Sequence, residues 1–160
     1  MRVGVERPRR QPDDRRGRLR AGGQGLPLIF ADSSFLIAAM DDRDRHHQMA
    51  LALLKQASER RIVATNLIRG ETWTWLRYKR WHAKAVEFLD SVGGEGQHIK
   101  IDRVGGELED EALGWLRRHD EREYSFVDAT SFAFMRAKGI TEALAFDGDF
   151  AAAGFTELRP

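Results

Sequence analysis

Short apolar segments alternate with longer segments of helical periodicity through most of this chain. We interpret the short segments as buried strands at residues 28–31, 61–64, 98–101 and 143–146, with a further edge strand at 155–158. Strands that alternate with helices form parallel sheets whose two faces are covered by helices. The pattern therefore predicts an α/β fold of three layers, with a central parallel sheet of four to five strands.

The helical segments have recognisable ends. Helices are predicted over residues 35–40, 44–58, 66–80, 82–92, 107–119 and 126–138. Asp44 or a neighbour is the predicted cap of the second helix, and Ser125 is the predicted cap of the last. Gly139 follows that last helix, at a position suited to the left-handed conformation that ends helices.

Charge is distributed unevenly along the chain. Residues 1–26 contain eight arginines against three acids, a net charge of +5, whereas the whole chain of 160 residues carries +1. Because this segment has too few apolar residues to offset the entropy of ordering it, we predict a disordered basic extension at 1–26 and one domain at 27–160. The extension either binds nucleic acid nonspecifically or results from a start codon assigned too far upstream.

Composition excludes several classes of protein. The chain has no cysteine, which excludes disulfides and thiolate metal sites. No apolar run approaches the roughly 20 residues that a membrane span needs. The arginine-rich start is not followed by the apolar stretch of a secretory signal. We therefore expect a cytoplasmic protein that does not enter a membrane.

Acidic residues follow the predicted strands. Asp32 comes directly after the first strand and Asp147 directly after the fourth. Glu71 lies in the second turn of the helix after the second strand, and Asp128 lies in the first turn of the helix that Ser125 caps. Ligand sites of parallel sheets lie beyond the carboxyl ends of the strands, so these acids could converge there. Crowded carboxylates repel and must be neutralised by protons or by cations, and Mg²⁺ or Mn²⁺ takes oxygen ligands.

Each acid also has an ordinary structural explanation. Asp128 completes a capping-box pattern with Ser125, and Asp32 fits the cap of the following helix. Glu71 fits a solvated helix surface, and Asp147 fits a turn. Asp102 follows a strand as well, and we interpret it as the cap of the helix that starts near residue 107. Joint placement at one sheet edge, rather than any single acid, favours a site.

Four motifs, in order, resemble those of PIN-domain ribonucleases, in particular the VapC-like toxins of bacterial toxin–antitoxin pairs. These motifs are Phe-Ala-Asp-Ser-Ser at 30–34, Gly-Glu-Thr-Trp-Thr-Trp-Leu-Arg at 70–77, Ser-Phe-Val-Asp-Ala-Thr-Ser-Phe at 125–132 and Ala-Phe-Asp-Gly-Asp-Phe at 145–150. The resemblance extends from about residue 28 to the end of the chain. It implies a PIN-like domain and Mg²⁺- or Mn²⁺-dependent cleavage of structured RNA, with a homodimer and a cognate antitoxin as usual partners.

The resemblance also implies roles for individual residues. The catalytic acids are Asp32, Glu71, Asp128 and Asp147. Asp32, Asp128 and Asp147 would hold the metal, with Asp149 as an accessory ligand, and Glu71 would bind the metal or orient the attacking water. Ser33 is similar to the small hydroxyl residue beside the first acid. Many relatives have Thr or Ser two positions before the fourth acid, where this chain has Ala145, which puts a supporting hydrogen bond in doubt.

Basic residues must steer RNA towards so many carboxylates. Arg69, Arg77 and Arg80 lie near Glu71 in the sequence, and we predict that they contact phosphates. Trp73 is expected on the same helix face as Arg69 and Arg77. It either stacks on a base or packs against a dimer partner or antitoxin.

Two other functions compete with a PIN nuclease. The sequence Asp147-Gly148-Asp149 after a strand is typical of phosphatases with an aspartate nucleophile, but only eleven residues follow it, too few for the further motifs of that chemistry. The second alternative is a degenerate PIN domain that binds RNA or a protein without cutting. Retention of the four acids favours cleavage.

Overall fold

The computed structural model describes residues 27–160, so the extension predicted at 1–26 lies outside the described residues. Within that range the strands are β1 (Ile29–Ala31), β2 (Ile62–Thr65), β3 (Ile99–Asp102), β4 (Glu142–Leu144) and β5 (Thr156–Glu157). The helices are α1 (Ser33–Met40), α2 (His47–Gln56), α3 (Asn66–Tyr78), α4 (His82–Ser91), α5 (Gly106–Leu116), α6 (Phe126–Lys138) and α7 (Asp149–Ala152). The predicted alternation of strands and helices is confirmed.

All five strands are parallel and lie in the order β3-β2-β1-β4-β5. The chain moves outward from β1 to β3, then returns to β4 on the other side of β1. The boundary between β1 and β4 is therefore the switch point of the sheet, where ligand sites of such folds lie. Phe30 pairs with Ala143 across this boundary, and the Asp32 amide donates a hydrogen bond to the Leu144 carbonyl at 3.0 Å.

The reversal of direction also separates the helices into two layers. Crossovers between parallel strands are right-handed, so α1 to α4 cover one face of the sheet and α5 to α7 cover the other. The helix contacts agree with this division, because α1 packs on α2 and α3, whereas α5 packs on α6. Phe30 joins the sheet to the second layer through ring contacts with Phe134 and Phe150. The predicted three-layer α/β fold is confirmed.

Two predictions about element ends are wrong. Asp102 does not cap α5, since the N-cap is Gly105 and Asp102 is the last residue of β3, where its carboxylate lies 3.6 Å from Lys138. Asp147 does not directly follow β4, which ends at Leu144. The reason is that the Phe146 amide donates to the Ser34 hydroxyl, so that the chain leaves the sheet before Asp147.

The shortest helix, α7, was not predicted because four residues leave no periodicity to detect. Helix α2 starts later than predicted, at His47, and Asp44 instead accepts a hydrogen bond from the His46 amide in the preceding turn. Between residues 27 and 160, no helix is both long enough and apolar enough to cross a bilayer.

Candidate active site

Asp32 is buried where β1 ends, with 1% of its surface exposed. It is the N-cap of α1, and its Oδ2 accepts hydrogen bonds from the Ser34 amide at 2.8 Å and the Ser34 hydroxyl at 2.6 Å. Burial, followed by the negative charge of Asp147, raises the pKa of Asp32 from 3.8 to about 7. In these surroundings the carboxylate is stabilised by binding either a proton or a cation.

The Ser34 hydroxyl connects the segments that follow β1 and β4, the two central strands at the site. It donates to Asp32 and accepts a hydrogen bond from the Phe146 amide at 3.0 Å. Ala145 is fully buried, and its carbonyl accepts a hydrogen bond from Arg159. Ser34 therefore links the segment after β4 to the first acid.

Asp128 caps α6, as its sequence predicted, and lies beside other acids. Its Oδ2 accepts a hydrogen bond from the Ser125 amide at 2.7 Å, and its own amide donates to the Ser125 hydroxyl at 3.0 Å, which completes the capping box of α6. Burial raises the pKa of Asp128, the bonds from Ser125 lower it, and the charge of Asp149 raises it. The cap therefore fixes the orientation of a carboxylate that faces other carboxylates.

Asp147 and Asp149 are held by a tight turn. Gly148 between them has φ +82°, a left-handed conformation that favours glycine, and the Asp149 amide donates to Oδ1 of Asp147 at 3.0 Å. Burial is the main cause that raises the pKa of Asp147 to about 6, with the charges of Asp149 and Asp128 adding to it.

The carboxylates of Asp128, Asp147 and Asp149 lie together, and we call them the carboxylate cluster. Ligand oxygens of Asp128, Asp147 and Asp149 lie within 4.8 Å of one another. Oxygen donors of this type and spacing fit a hard divalent cation such as Mg²⁺ or Mn²⁺. Asp32 is not one of these three but lies close enough for the charges of Asp147 and Asp128 to raise its pKa. The structure therefore brings together the acids of three sequence motifs.

Glu71 projects from α3 towards the same acids. Burial raises the pKa of its carboxyl, the neighbouring Ser33 hydroxyl lowers it, and the charge of Asp128 raises it. Glu71, Ser33 and Asp147 share the lining of an open cavity of about 420 Å³. The fourth predicted acid and the accessory serine thus lie beside the carboxylate cluster.

Arg122 also belongs to the site, although the sequence analysis did not single it out. It lies between α5 and α6, and its Nε donates to Oδ1 of Asp149 at 2.6 Å. A second bond of 3.4 Å runs from its guanidinium to the Asp147 carbonyl. Nothing in the local sequence marks this arginine, because its position depends on how the loop before α6 crosses the sheet edge.

The residues predicted to bind RNA lie apart from Glu71, and their contact with RNA stays a prediction. Trp73, Arg77 and Arg80 line a second, shallow groove together with Tyr78, and no acid lines that groove within residues 27–160. Arg69 points elsewhere, since its guanidinium lies near Gly93. Trp73 and Glu71 are two positions apart on α3 and therefore face different ways. The positive charge of α3 is thus separate from the carboxylate cluster.

The PIN domain sequence profile matches residues 29–156 of the chain. This match spans β1 to β4, the first residue of β5 and every residue of the carboxylate cluster. The chain is a PIN domain. The family suggested by the sequence motifs is thereby confirmed.

The PIN domain is also similar to proteins of known activity. It is 49% identical over 138 residues to the 23S rRNA-specific endonuclease VapC20 of Mycobacterium tuberculosis, from strains CDC 1551 / Oshkosh and ATCC 25618 / H37Rv. Each alignment covers 83% of this chain and 99% of the relative. The crystal structure of VapC20, described as a sarcin–ricin loop cleaving toxin, matches with a TM-score of 0.76 and 45% identity, covering 82% of this chain and 99% of that chain.

Proposed function

We propose that this PIN domain is a divalent-metal-dependent endoribonuclease, the toxin of a toxin–antitoxin pair, and that it cuts the sarcin–ricin loop of 23S rRNA. One observation carries the proposal. Ligand oxygens of Asp128, Asp147 and Asp149 lie within 4.8 Å of one another in a chain that is 49% identical to a 23S rRNA-specific endonuclease. A cluster of this kind is neutralised by protons or by a cation, and nucleases use such cations on phosphodiesters.

Four aspartates are the proposed metal ligands: Asp32, Asp128, Asp147 and Asp149. Asp128, Asp147 and Asp149 are close enough to share one ion, and the charges of Asp147 and Asp128 act on Asp32. When bound, Mg²⁺ or Mn²⁺ lowers the pKa of a coordinated water and stabilises negative charge on the phosphate. The donor set favours oxygen-seeking ions and does not choose between these two.

The remaining side chains orient the reactants. Glu71 is proposed to accept a hydrogen bond from the attacking water and to direct it at phosphorus. Its raised pKa suits a group that takes up a proton. The Ser33 hydroxyl lies close enough to Glu71 to lower the pKa of its carboxyl, and the capping bond from the Ser125 amide fixes the Asp128 carboxylate. Asp128 is therefore held before substrate arrives, which lowers the reorganisation needed for reaction.

Basic residues near the acids are proposed to receive the RNA backbone. Arg122 lies against Asp149 with its side chain 42% exposed, and Arg45 lines the cavity that contains Glu71. Arg77, Arg80 and Trp73 would contact RNA away from the scissile phosphate, because they line the separate groove on α3. Arg69 would contribute only long-range charge.

The partners of the proposed toxin follow from the family. We propose a cognate antitoxin, a homodimeric assembly and action in the cytoplasm, where ribosomes are found. Exposed apolar side chains such as Leu51, Val86 and Leu89 are available for protein contacts. The toxin role requires an antitoxin gene beside the gene for this chain.

The test is cleavage of a sarcin–ricin hairpin RNA and of 23S rRNA by the full-length chain, purified without antitoxin. We expect one cut within the loop in Mg²⁺ or Mn²⁺ and none in EDTA or with Asp128→Asn. Asp102→Asn is the matched control, because Asp102 ends β3 and pairs with Lys138 outside the acid cluster, so this variant should cut normally. Primer extension locates the cut.

The competing function is a degenerate PIN domain that binds without cutting. The clustered acids, with pKa values raised by burial and by one another, support cleavage over binding alone. RNA that stays intact in every metal, while still bound by the protein, would establish the binding role. Cleavage that survives Asp128→Asn would reveal a contaminating nuclease and remove support for the proposal.

A further inference from the structure

The cavity that contains Glu71 and Asp147 has a second wall that the proposed chemistry does not use. Arg45, His46, Trp75 and Phe146 line it, and we call this wall the aromatic cleft. Arg45 and His46 come from the turn before α2, Trp75 from α3, and Phe146 from the segment after β4. Three separate parts of the chain therefore bring aromatic rings to the edge of the carboxylate cluster.

The rings of the aromatic cleft are ordered but not fully buried. His46 stacks on Phe146 with ring centroids 4.6 Å apart and planes 28° from parallel, and its side chain remains 26% exposed. Trp75 is held by an edge contact with Trp81, at 5.9 Å. Both Trp75 and Phe146 keep part of their surface in the cavity. Such half-exposed, pre-positioned rings suit stacking with a planar ligand.

The size and charge of the cavity indicate which class of ligand it can bind. Its volume of about 420 Å³ lies in the range of small-molecule sites and exceeds what one amino-acid side chain would fill. Arg45 is exposed at this cavity and supplies positive charge beside three carboxylates, those of Asp44, Glu71 and Asp147. Aromatic rings next to an arginine form the usual combination for a single-stranded nucleotide, in which the base stacks and the phosphate meets the cation.

The shared lining places the cleft beside the reactive phosphate. Glu71 and Trp75 lie four positions apart on α3, so they project from one helix face into the same cavity. Phe146 immediately precedes Asp147, one of the proposed metal ligands. A nucleotide whose phosphate reaches the carboxylates would therefore have its base at the rings. RNA loops offer such bases, because their unstacked nucleotides can turn outward.

We propose that the aromatic cleft binds an unstacked nucleobase of the nucleotide next to the scissile phosphate. Trp75 and the stacked pair of His46 and Phe146 hold the base, and Arg45 contacts a flanking phosphate. The inference rests on the proposed ribonuclease function and adds to it a base-binding subsite. This subsite explains how a cluster of acids can retain RNA, since stacking is insensitive to the repulsion between carboxylates and phosphates.

The test measures binding apart from cleavage. The sarcin–ricin hairpin is synthesised with 2-aminopurine at single loop positions and titrated with the full-length Asp128→Asn protein. Stacking in the cleft should quench the fluorescence at a position beside the mapped cut. Trp75→Ala in the same background should abolish the quenching and weaken RNA binding about ten-fold, whereas Trp75→Phe should retain most of both.

Two variants of the same helix serve as comparisons. Tyr78→Ala removes a ring that is 87% exposed and outside the cleft, and should leave quenching unchanged. Trp73→Ala alters the second groove, so its loss of affinity should be smaller than that of Trp75→Ala. Should Trp75→Ala fail to fold, as judged by its thermal melt, His46→Ala replaces it with the same expectation, because His46 lies in the turn before α2.

Unchanged quenching and affinity in folded Trp75→Ala and His46→Ala would overturn the subsite, even if the parent enzyme cuts the hairpin. A protein that quenches as expected but cuts no RNA would instead remove the proposed nuclease function and keep the base site. Weakened antitoxin binding with unchanged RNA binding would assign the cleft to a protein partner and overturn the inference.

Discussion

The Nε atom of Arg122 donates a hydrogen bond to Oδ1 of Asp149 over 2.6 Å, at the edge of the carboxylate cluster. The hydrogen bond and the charge of Asp149 both raise the pKa of the arginine. The chain thus supplies one fixed cation to a cluster whose acids otherwise repel each other. Because the guanidinium and a divalent ion use the same carboxylate, they compete for it.

Replacing Arg122 by glutamine should strengthen metal binding. Arg122→Gln frees the Asp149 carboxylate and removes one positive charge, so the dissociation constant of Mn²⁺ should fall a few-fold in the absence of RNA. The affinity for the hairpin should fall as well, since a phosphate contact is lost. Isothermal titration measures both constants. Weaker Mn²⁺ binding by the variant would show that Arg122 supports the metal site rather than competing with it.

Asp128→Asn and Asp128→Ala should separate the two roles of Asp128. Asparagine keeps an oxygen that can accept the Ser125 amide bond, so Asp128→Asn should fold as stably as the parent in EDTA. Alanine removes that acceptor and should cost about 1 kcal/mol of unfolding free energy. Both variants should lose RNA cleavage. Urea unfolding measures the stability of both variants, and the cleavage assay measures their activity. Equal destabilisation by the two changes would contradict the dual role of Asp128.

Ser34→Ala should destabilise the protein more than the removal of a serine hydroxyl that bonds only within its own helix. The change leaves the Phe146 amide without the Ser34 acceptor and removes the hydroxyl bond to Asp32. An amide left unpaired inside a protein costs about 1–3 kcal/mol. Urea unfolding should show a loss in that range. Ser91→Ala is the control, because its hydroxyl bonds only to a carbonyl of its own helix, and equal losses would refute the linking role of Ser34.

The metal-free protein should become less stable as the pH rises from 4 to 7. The pKa of Asp32 is about 7 and that of Asp147 about 6, both above the usual 3.8, so the folded state binds more protons than the unfolded state in this window. Stability therefore falls as the pH increases through it. In EDTA the Tm should drop by on the order of 5 °C between pH 5 and pH 7.5.

Asp32→Asn is the matched control for the pH effect. Asparagine retains the N-cap of α1 but cannot titrate, so the decline in Tm should be smaller in this variant. Saturating Mg²⁺ should also reduce the decline in the parent, since the ion favours the deprotonated acids. A parent Tm that rises over this range, or an identical decline in Asp32→Asn, would contradict the assignment of these pKa values.

The fold could be predicted because its determinants are local. Apolar strands such as 28–31 and helix caps such as Ser125 are visible in short stretches of sequence. The order of strands in the sheet is not local. Asp32 directly follows β1 and Asp102 is the last residue of β3, but β3 lies at the edge of the sheet, two positions from β1, and only the structure shows this.

Only those parts of the candidate site that depend on local sequence could be predicted. Its aspartates lie at or near element ends, which the sequence locates to within a few residues. Arg122, Arg45 and His46 lie in loops, whose paths no periodicity determines. Trp75 lies in α3 and lines the cavity beside Glu71, which the sequence motifs did not indicate. Arg77 lies near Glu71 in the sequence but lines a different groove, because closeness in sequence does not place two side chains on one helix face.

The most direct test of the account is a titration of Mn²⁺ into the metal-free full-length protein and its variants. The account predicts binding to the parent and to Asp102→Asn with equal affinity. Asp128→Asn and Asp147→Asn should each weaken binding at least ten-fold, because each removes one of three carboxylates that lie within 4.8 Å. Binding that is unchanged in both of these variants, or lost to the same degree in Asp102→Asn, would contradict the central claim.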